Sequence, residues 1–178
     1  RIGIILYMEG LDCVGSDVRL LTALWELGVR GASLTWSRRN LLASGCCKAS
    51  ECYEIRGGLS PEGFDVVRGM EHLGMFVDVS HLNDDGFENI RETATRPFMA
   101  THSNSRAVAL HYRNLTDTQM QILADQGGIV GLNGYVRLVS ETAEEEYPDE
   151  NGVYCLEKLC MHVEHMVEVM GPEHVGYG

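Results

Sequence analysis

Two stretches of the sequence close in the same way. "FVDVSHLNDD" (76–85) and "FMATHSNSRA" (98–107) are each an apolar run that ends in a hydroxyl residue and a histidine, His81 and His102, followed at once by polar turn residues. A third apolar run leads into "YMEGLD" (7–12) and delivers Glu9. Neutral imidazole and carboxylate are the donors that a divalent ion such as zinc takes in a hydrolytic site, and a carboxylate has two oxygens with which to bridge two ions. A single histidine at a strand end is more often a residue that caps or hydrogen-bonds its own loop. Two histidines and a glutamate at three strand ends weigh against that plain reading.

The spacing of apolar and turn residues indicates what must carry these groups. Residues 1–8 read as a buried strand. Residues 16–28 read as a helix with Ser16 as N-cap, Val18, Leu21, Leu24 and Leu27 on one face, and Gly28 at its end. The pattern continues with a strand over 29–35 and a polar loop to about Gly58. A helix over 60–74 follows, with Ser60 as cap and Pro61 in its first position. Strands are expected over 75–80, 97–101, 128–133 and 174–178, and helices over 83–94, 116–128 and 152–171. This alternation favours a parallel sheet with helical crossovers. The expected fold class is α/β, a partial (β/α)8 TIM barrel with about six of its eight strands. Residues 1–178 would form a single catalytic-domain fragment, with about two units missing before Arg1 and a strand cut at Gly178. A complete flavodoxin-like sheet is the structural alternative. In a barrel, functional side chains gather where strands end. Those positions hold Glu9, then Trp36 with Ser37, Arg38 and Arg39, then Asp78 and His81, then His102, Ser103 and Asn104, and finally Asn133 and Tyr135.

Composition removes some functions. The 178 residues are 44% hydrophobic and 22% charged, ordinary for a globular chain, and no apolar run approaches a membrane-spanning helix. A net charge of −12 argues against a nucleic-acid partner, which would need a basic face. Part of the acid excess sits in "ETAEEEYPDE" (141–150), read as a solvated loop. The six cysteines fit neither a zinc CxxC pair nor a secreted disulfide scaffold, which points to a reducing, cytoplasmic compartment. Cys155 and Cys160 fall in a helical pattern as core or near-core residues, and Cys46, Cys47 and Cys52 share one loop, where a soft-metal clip is the minor alternative. His72 and His111 lie in or beside helical segments, and His174 opens a strand away from the expected site. His162 and His165 could grip a metal from one helix, but a helix outside a barrel faces away from the site, so packing or surface roles are expected.

With these residues in view, the sequence resembles the renal-type (membrane) dipeptidase family of the metal-dependent amidohydrolase superfamily. The resemblance runs through "EG" at 9–10, "LGVRGASLTW" at 27–36, "GLSPEGFDVVRGMEHLGMFVDVSH" at 58–81 and "ATHSNSRA" at 100–107. It continues through "RN" at 113–114, "GGIVGLN" at 127–133 and "GPEHVGYG" at 171–178. It implies a zinc hydrolase that cleaves dipeptides, with two zinc ions per full-length chain. Glu9 would be the bridging and catalytic carboxylate, and His81 and His102 would complete the second zinc. Arg113 would act in catalysis by pairing with the substrate carboxylate, with Trp36 and Tyr135 beside it in the substrate site. The implied chemistry is attack by a metal-bridging hydroxide, with zinc taking the oxyanion charge.

The resemblance has three departures. The family's His-x-Asp pair for the first zinc and its further aspartate ligand both fall outside residues 1–178. Trp36 stands where mammalian members have a histidine. The 178-residue chain by itself is therefore expected to be inactive, and the full-length parent to be a homo-oligomer. The alternatives are a related amidohydrolase acting on another amide or lactam, a decarboxylase, or a non-catalytic barrel fragment that binds a partner.

Overall fold

A computed structural model describes residues 3–46, 57–140 and 153–178. Cys47, Cys52, the side chain of Cys155 and the acidic run 141–150 lie outside the described residues. The chain divides into two compact units, Arg1–Phe98 and Met99–Gly178.

The first unit is built on three parallel strands in the order β1 (Leu6–Glu9), β2 (Val29–Ser33) and β3 (Phe76–Asp78). Helices α1 (Arg19–Glu26), α2 (Pro61–Leu73) and α3 (Asp84–Thr93) connect and follow them. The register aligns Tyr7, Gly31 and Phe76 in one row and Glu9, Ser33 and Asp78 in another, two residues further along each strand. Side chains alternate across a sheet, so both rows belong to one face. Ala32 and Val77 belong to the other face and are buried, and α1 and α2 pack against β2 and β3. Val66, Val67 and Met70 of α2 are fully buried.

The second helix begins and ends as expected. Ser60 Oγ accepts from Gly63 N–H, Pro61 occupies the first turn, and Gly74 closes the helix at φ 74°. Asn83 caps α3 through Gly86 N–H, with Asp84 and Asp85 beside the positive end of the helix. The first helix departs from expectation. Residues 11–17 wind through turns, with Val14 N–H bonded to Leu11 O and Asp17 N–H to Val14 O. Those turns delay α1 to Arg19, after Val18 and without a side-chain cap, so Ser16 is not the cap. Of the expected apolar face, Leu21 is buried whereas Val18 and Leu27 are exposed. The start of the chain is exposed too: Ile4 and Ile5 face solvent, because no strand pairs with the far edge of β1 among the described residues.

A buried acid ties this unit together. Glu71, on α2, is 8% exposed. One carboxylate oxygen accepts from Thr95 N–H (2.8 Å) and Arg96 N–H (2.9 Å), and the other from Thr95 Oγ1 (2.9 Å). These bonds fix the chain after α3 where it leads into Phe98, whose ring meets Phe87 edge-on at 5.8 Å.

The second unit holds α4 (Asp117–Asp125), β4 (Val130–Leu132), α5 (Val136–Val139), α6 (Val153–Met170) and β5 (Val175–Tyr177). Thr116 and Gln119 form a capping box at the start of α4. The two strands pair in parallel, and α6 packs on α4, α5 and β5. His162, on α6, is fully buried. Its Nδ1 accepts from Ser105 N–H (3.1 Å), and its Nε2 faces Val139 O at 3.0 Å. One nitrogen accepts and the other donates, so this imidazole is neutral.

The strands do not close into a barrel. Among the described residues they form two open sheets, one of three strands and one of two. The expected partial (β/α)8 barrel is thus corrected to an α/β fold with open sheets. The difference arises at residues 97–101, read as a strand from the sequence. That segment forms isolated bridges at Met99 and Ala100 rather than a strand, that of Ala100 running to Val130, with Ala100 N–H bonded to Ile129 O. Pro97 has no N–H to give a ladder. Beyond Ala100 the chain stays beside β4, with Ser103 N–H bonded to Gly131 O, and then forms the isolated bridge between Ser105 and Leu115. A barrel needs a continuous ring of paired edges.

Two outcomes follow. Glu71→Ala leaves Thr95 and Arg96 donors without their acceptor and is expected to destabilise the fold by about 2–3 kcal/mol in denaturant unfolding, with Glu71→Gln in between. For His162, burial pushes the pKa below the ordinary histidine value, so the unfolded chain takes up the proton first. Its contribution to stability is complete above about pH 6.5 and is lost as pH falls below that. His162→Gln is expected to flatten the fall in unfolding free energy between about pH 7 and pH 5, measured by urea titration at each pH.

Candidate metal centre

Glu9 is the last residue of β1. The following Gly10, at φ 86°, turns the chain, and its N–H donates to Ser33 Oγ at 2.9 Å. In the same unit, His81 follows β3. Asp78 Oδ1 accepts from Ser80 N–H at 2.8 Å, and Leu82 N–H bonds back to Val79 O. This tight turn puts His81 at φ 75°, the one non-glycine residue with positive φ among the described residues. A β-carbon in that region costs roughly 1–2 kcal/mol, so the conformation persists because the surroundings impose it. The His81 carbonyl accepts from Cys46 N–H at 2.6 Å, and Cys46 Sγ–H donates to Leu82 O at 2.6 Å.

The turn directs the His81 ring at Glu9, with Nε2 2.6 Å from Oε1. His81 is buried, while Glu9 remains 42% exposed at its side chain. The other ring nitrogen lies 3.5 Å from Ser37 Oγ, and the Trp36 ring is tilted against the imidazole at 6.0 Å. Trp36 itself is largely exposed.

In the second unit, Gly131 lies against the chain beside His102: a β-carbon on it would overlap the Thr101 carbonyl oxygen. His102 Nδ1 is 2.7 Å from Thr101 Oγ1, the hydroxyl that precedes it in the sequence. With Nδ1 donating there, Nε2 keeps its lone pair for a metal. The His102 carbonyl accepts from Arg113 Nη2 at 3.2 Å and from Asn133 Nδ2 at 3.4 Å. Asn104 and Asn133 exchange hydrogen bonds, Nδ2 to O at 2.9 Å and N–H to Oδ1 at 2.8 Å. Arg113 is buried, and its backbone N–H donates to His111 Nδ1. Tyr135 is exposed, its N–H held by Asn133 Oδ1 at 2.7 Å.

Glu9, His81 and His102 each offer one ligand atom, and these atoms all lie within 4.8 Å of one another. A 2.6 Å contact between imidazole and carboxylate is by itself also that of an ion pair. The third donor is what makes the set fit a metal, and two imidazoles with one carboxylate are the donors zinc takes. Among the described residues this is one candidate metal site.

The other candidates have different partners. His162 is a buried packing residue, and His165 Nε2 meets Asp117 Oδ1 at 2.8 Å on the surface. Cys46 is buried and donates to a carbonyl, and Cys160, expected in or near the core, is exposed. No helix among the described residues is long and apolar enough to cross a membrane. The sequence did not single out Tyr7, whose hydroxyl donates to Asp78 Oδ2 at 2.5 Å. Its signal was present: a tyrosine two residues before Glu9 lies on the same face of the strand.

Comparison with known proteins supplies the family. The family model described as "Membrane dipeptidase (Peptidase family M19)" matches residues 1–178. The chain is 31% identical over 179 residues to an uncharacterised protein in the pqqA 5′ region of Klebsiella pneumoniae, covering 99% of this chain and 64% of that protein. It is 30% identical to the dipeptidase verJ of Clonostachys rogersoniana, covering 100% of this chain and 42% of that one. The chain thus spans less than two thirds of the length of these relatives. The crystal structure of a metallopeptidase from Rhodobacter sphaeroides, bound to a phosphinate mimic of the dipeptide L-Ala-D-Ala, superposes with a TM-score of 0.87 at 31% identity. That match covers 98% of this chain and 48% of the crystallised one. A match that runs from the first residue to the last means that the chain belongs to the membrane dipeptidase family, Peptidase family M19.

Proposed function

We propose that the full-length protein carrying this chain hydrolyses dipeptides, with zinc held by Glu9, His81 and His102. The observation that carries this reading is the set of three donor atoms within 4.8 Å of one another in a chain of the M19 family. The dipeptide class is supported by the Rhodobacter sphaeroides metallopeptidase and the dipeptide mimic it binds.

In this reading Glu9, His81 and His102 would hold zinc, and the second carboxylate oxygen of Glu9 would be available to a second ion. Bound zinc supplies Lewis acidity, which activates water near neutral pH and polarises the scissile carbonyl. The residues of the chain supply position. Thr101 holds the His102 ring by Nδ1, and the turn after β3 holds His81 toward Glu9. Arg113 binds the substrate's carboxylate. A guanidinium matches a carboxylate in bidentate fashion, and this one is buried, where an ionic hydrogen bond is less weakened by water. Trp36 and Tyr135 present exposed rings that would contact the substrate's side chains. Residues 1–178 would be part of one catalytic domain. A cytoplasmic location belongs to the same proposal, supported by Cys13, Cys46 and Cys160, which are thiols rather than disulfides.

Metal analysis and assay test the reading. The purified full-length protein is expected to carry zinc and to cleave a panel of dipeptides. His81→Ala and His102→Ala are each expected to lose bound zinc and activity while the circular dichroism spectrum stays native. A folded full-length protein that binds no zinc overturns the proposal. Arg113→Ala is expected to lower kcat/KM for dipeptides by roughly 100-fold, while leaving the low rate on C-terminally amidated dipeptides nearly unchanged. Equal losses on both substrates would mean that Arg113 does not read the carboxylate.

A further inference from the structure

We propose that Asp78, braced by Tyr7, is a positioning residue for the metal site: it sets the turn that aims His81 at Glu9. The inference rests on the reading of Glu9 and His81 as metal ligands. It concerns residues to which no role in the reaction has been given above.

Glu9 and His81 ride on elements that do not touch as strands. β1 and β3 are separated by β2, and neighbouring strands lie about 4.8 Å apart, so the two are roughly 10 Å distant. Something must hold that span if two ligand atoms are to keep a fixed separation. The row Tyr7, Gly31, Phe76 provides it. Gly31 has no side chain, and a β-carbon there would run into the Phe76 ring. Over this gap the rings of Tyr7 and Phe76 lie parallel, with centroids 6.1 Å apart. Tyr7 can then reach across β2 and donate its hydroxyl hydrogen to Asp78 Oδ2 at 2.5 Å.

Both oxygens of Asp78 are engaged, in different directions. Oδ2 takes the Tyr7 hydroxyl from β1, two residues before Glu9. Oδ1 takes Ser80 N–H at 2.8 Å, one residue before His81. Asp78 is fully buried, so these bonds are not exchanged for water. The Ser80 bond folds the chain back at the end of β3 and leads directly into the left-handed backbone of His81. Asp78 therefore connects the strand that carries one ligand to the turn that carries the other. Groups that hold a metal ligand in orientation typically contribute 10–100-fold in metal affinity when intact.

The test compares zinc affinity, by competition with a chromophoric chelator, in the full-length protein and its variants. Tyr7→Phe keeps the ring and its stacking and removes the hydroxyl alone. It is expected to weaken zinc binding about 10–100-fold, while lowering the urea midpoint of the metal-free protein about as much as Glu71→Gln does. Asp78→Asn, which retains an acceptor for Ser80, is expected to weaken binding in the same direction. Glu71→Gln, a destabilising change away from the site, is expected to bind zinc as the parent does, and so separates positioning from general loss of stability. Parent-like zinc affinity in both Tyr7→Phe and Asp78→Asn overturns the brace and leaves the metal site standing. A parent protein that binds no zinc overturns the metal reading, and the brace with it.

Discussion

The backbone of His81 stands in the left-handed region, and the chemistry proposed for this chain depends on that one turn. An imidazole after a strand would ordinarily follow the strand's direction. Here the chain folds back on Asp78 and Cys46, and the ring is carried to within 2.6 Å of the Glu9 carboxylate. A conformation that costs free energy in isolation is maintained by buried hydrogen bonds on both sides of it. The site is thus specified by backbone geometry as much as by residue type.

Three of the buried polar groups divide the labour. Glu71 fixes the loop that follows α3, Asp78 fixes the end of β3, and His162 fixes Ser105 and Val139 in the second unit. Each gathers two or more hydrogen-bonding partners around one side chain that is largely closed to water. Such groups tolerate little change, because a lost partner leaves a desolvated atom behind. The helices around them depend on local rules instead, through the caps at Ser60, Asn83 and Thr116.

How much of this could be read from the sequence depends on the range of the interaction. Ser60, Pro61 and Gly74 mark α2 because capping is a matter of neighbouring residues, and the same holds for Asn83 and α3. The strand-end donors Glu9, His81 and His102 were legible as residue types, since a hydroxyl-histidine pair after an apolar run is visible without coordinates. The open sheets were not, because they depend on edge pairing between distant segments, and the segment after Pro97 makes isolated bridges rather than a ladder. Ser16 failed as a cap because a run of local turns, Val14 N–H to Leu11 O and Asp17 N–H to Val14 O, took up the chain first. The bond from Tyr7 to Asp78 spans 71 positions, and nothing local to either residue announces it.

Gly31 bears no donor and belongs to no ligand set, yet the Tyr7 and Phe76 rings lie together over the space its missing side chain leaves. If Glu9 and His81 hold a metal as proposed, a scan of single substitutions scored by metal affinity would rank such a position beside them, although it offers no ligand atom. Its intolerance would express the width of one atom in a sheet, transmitted through a tyrosine hydroxyl. Empty space, in this chain, carries as much information as a functional group.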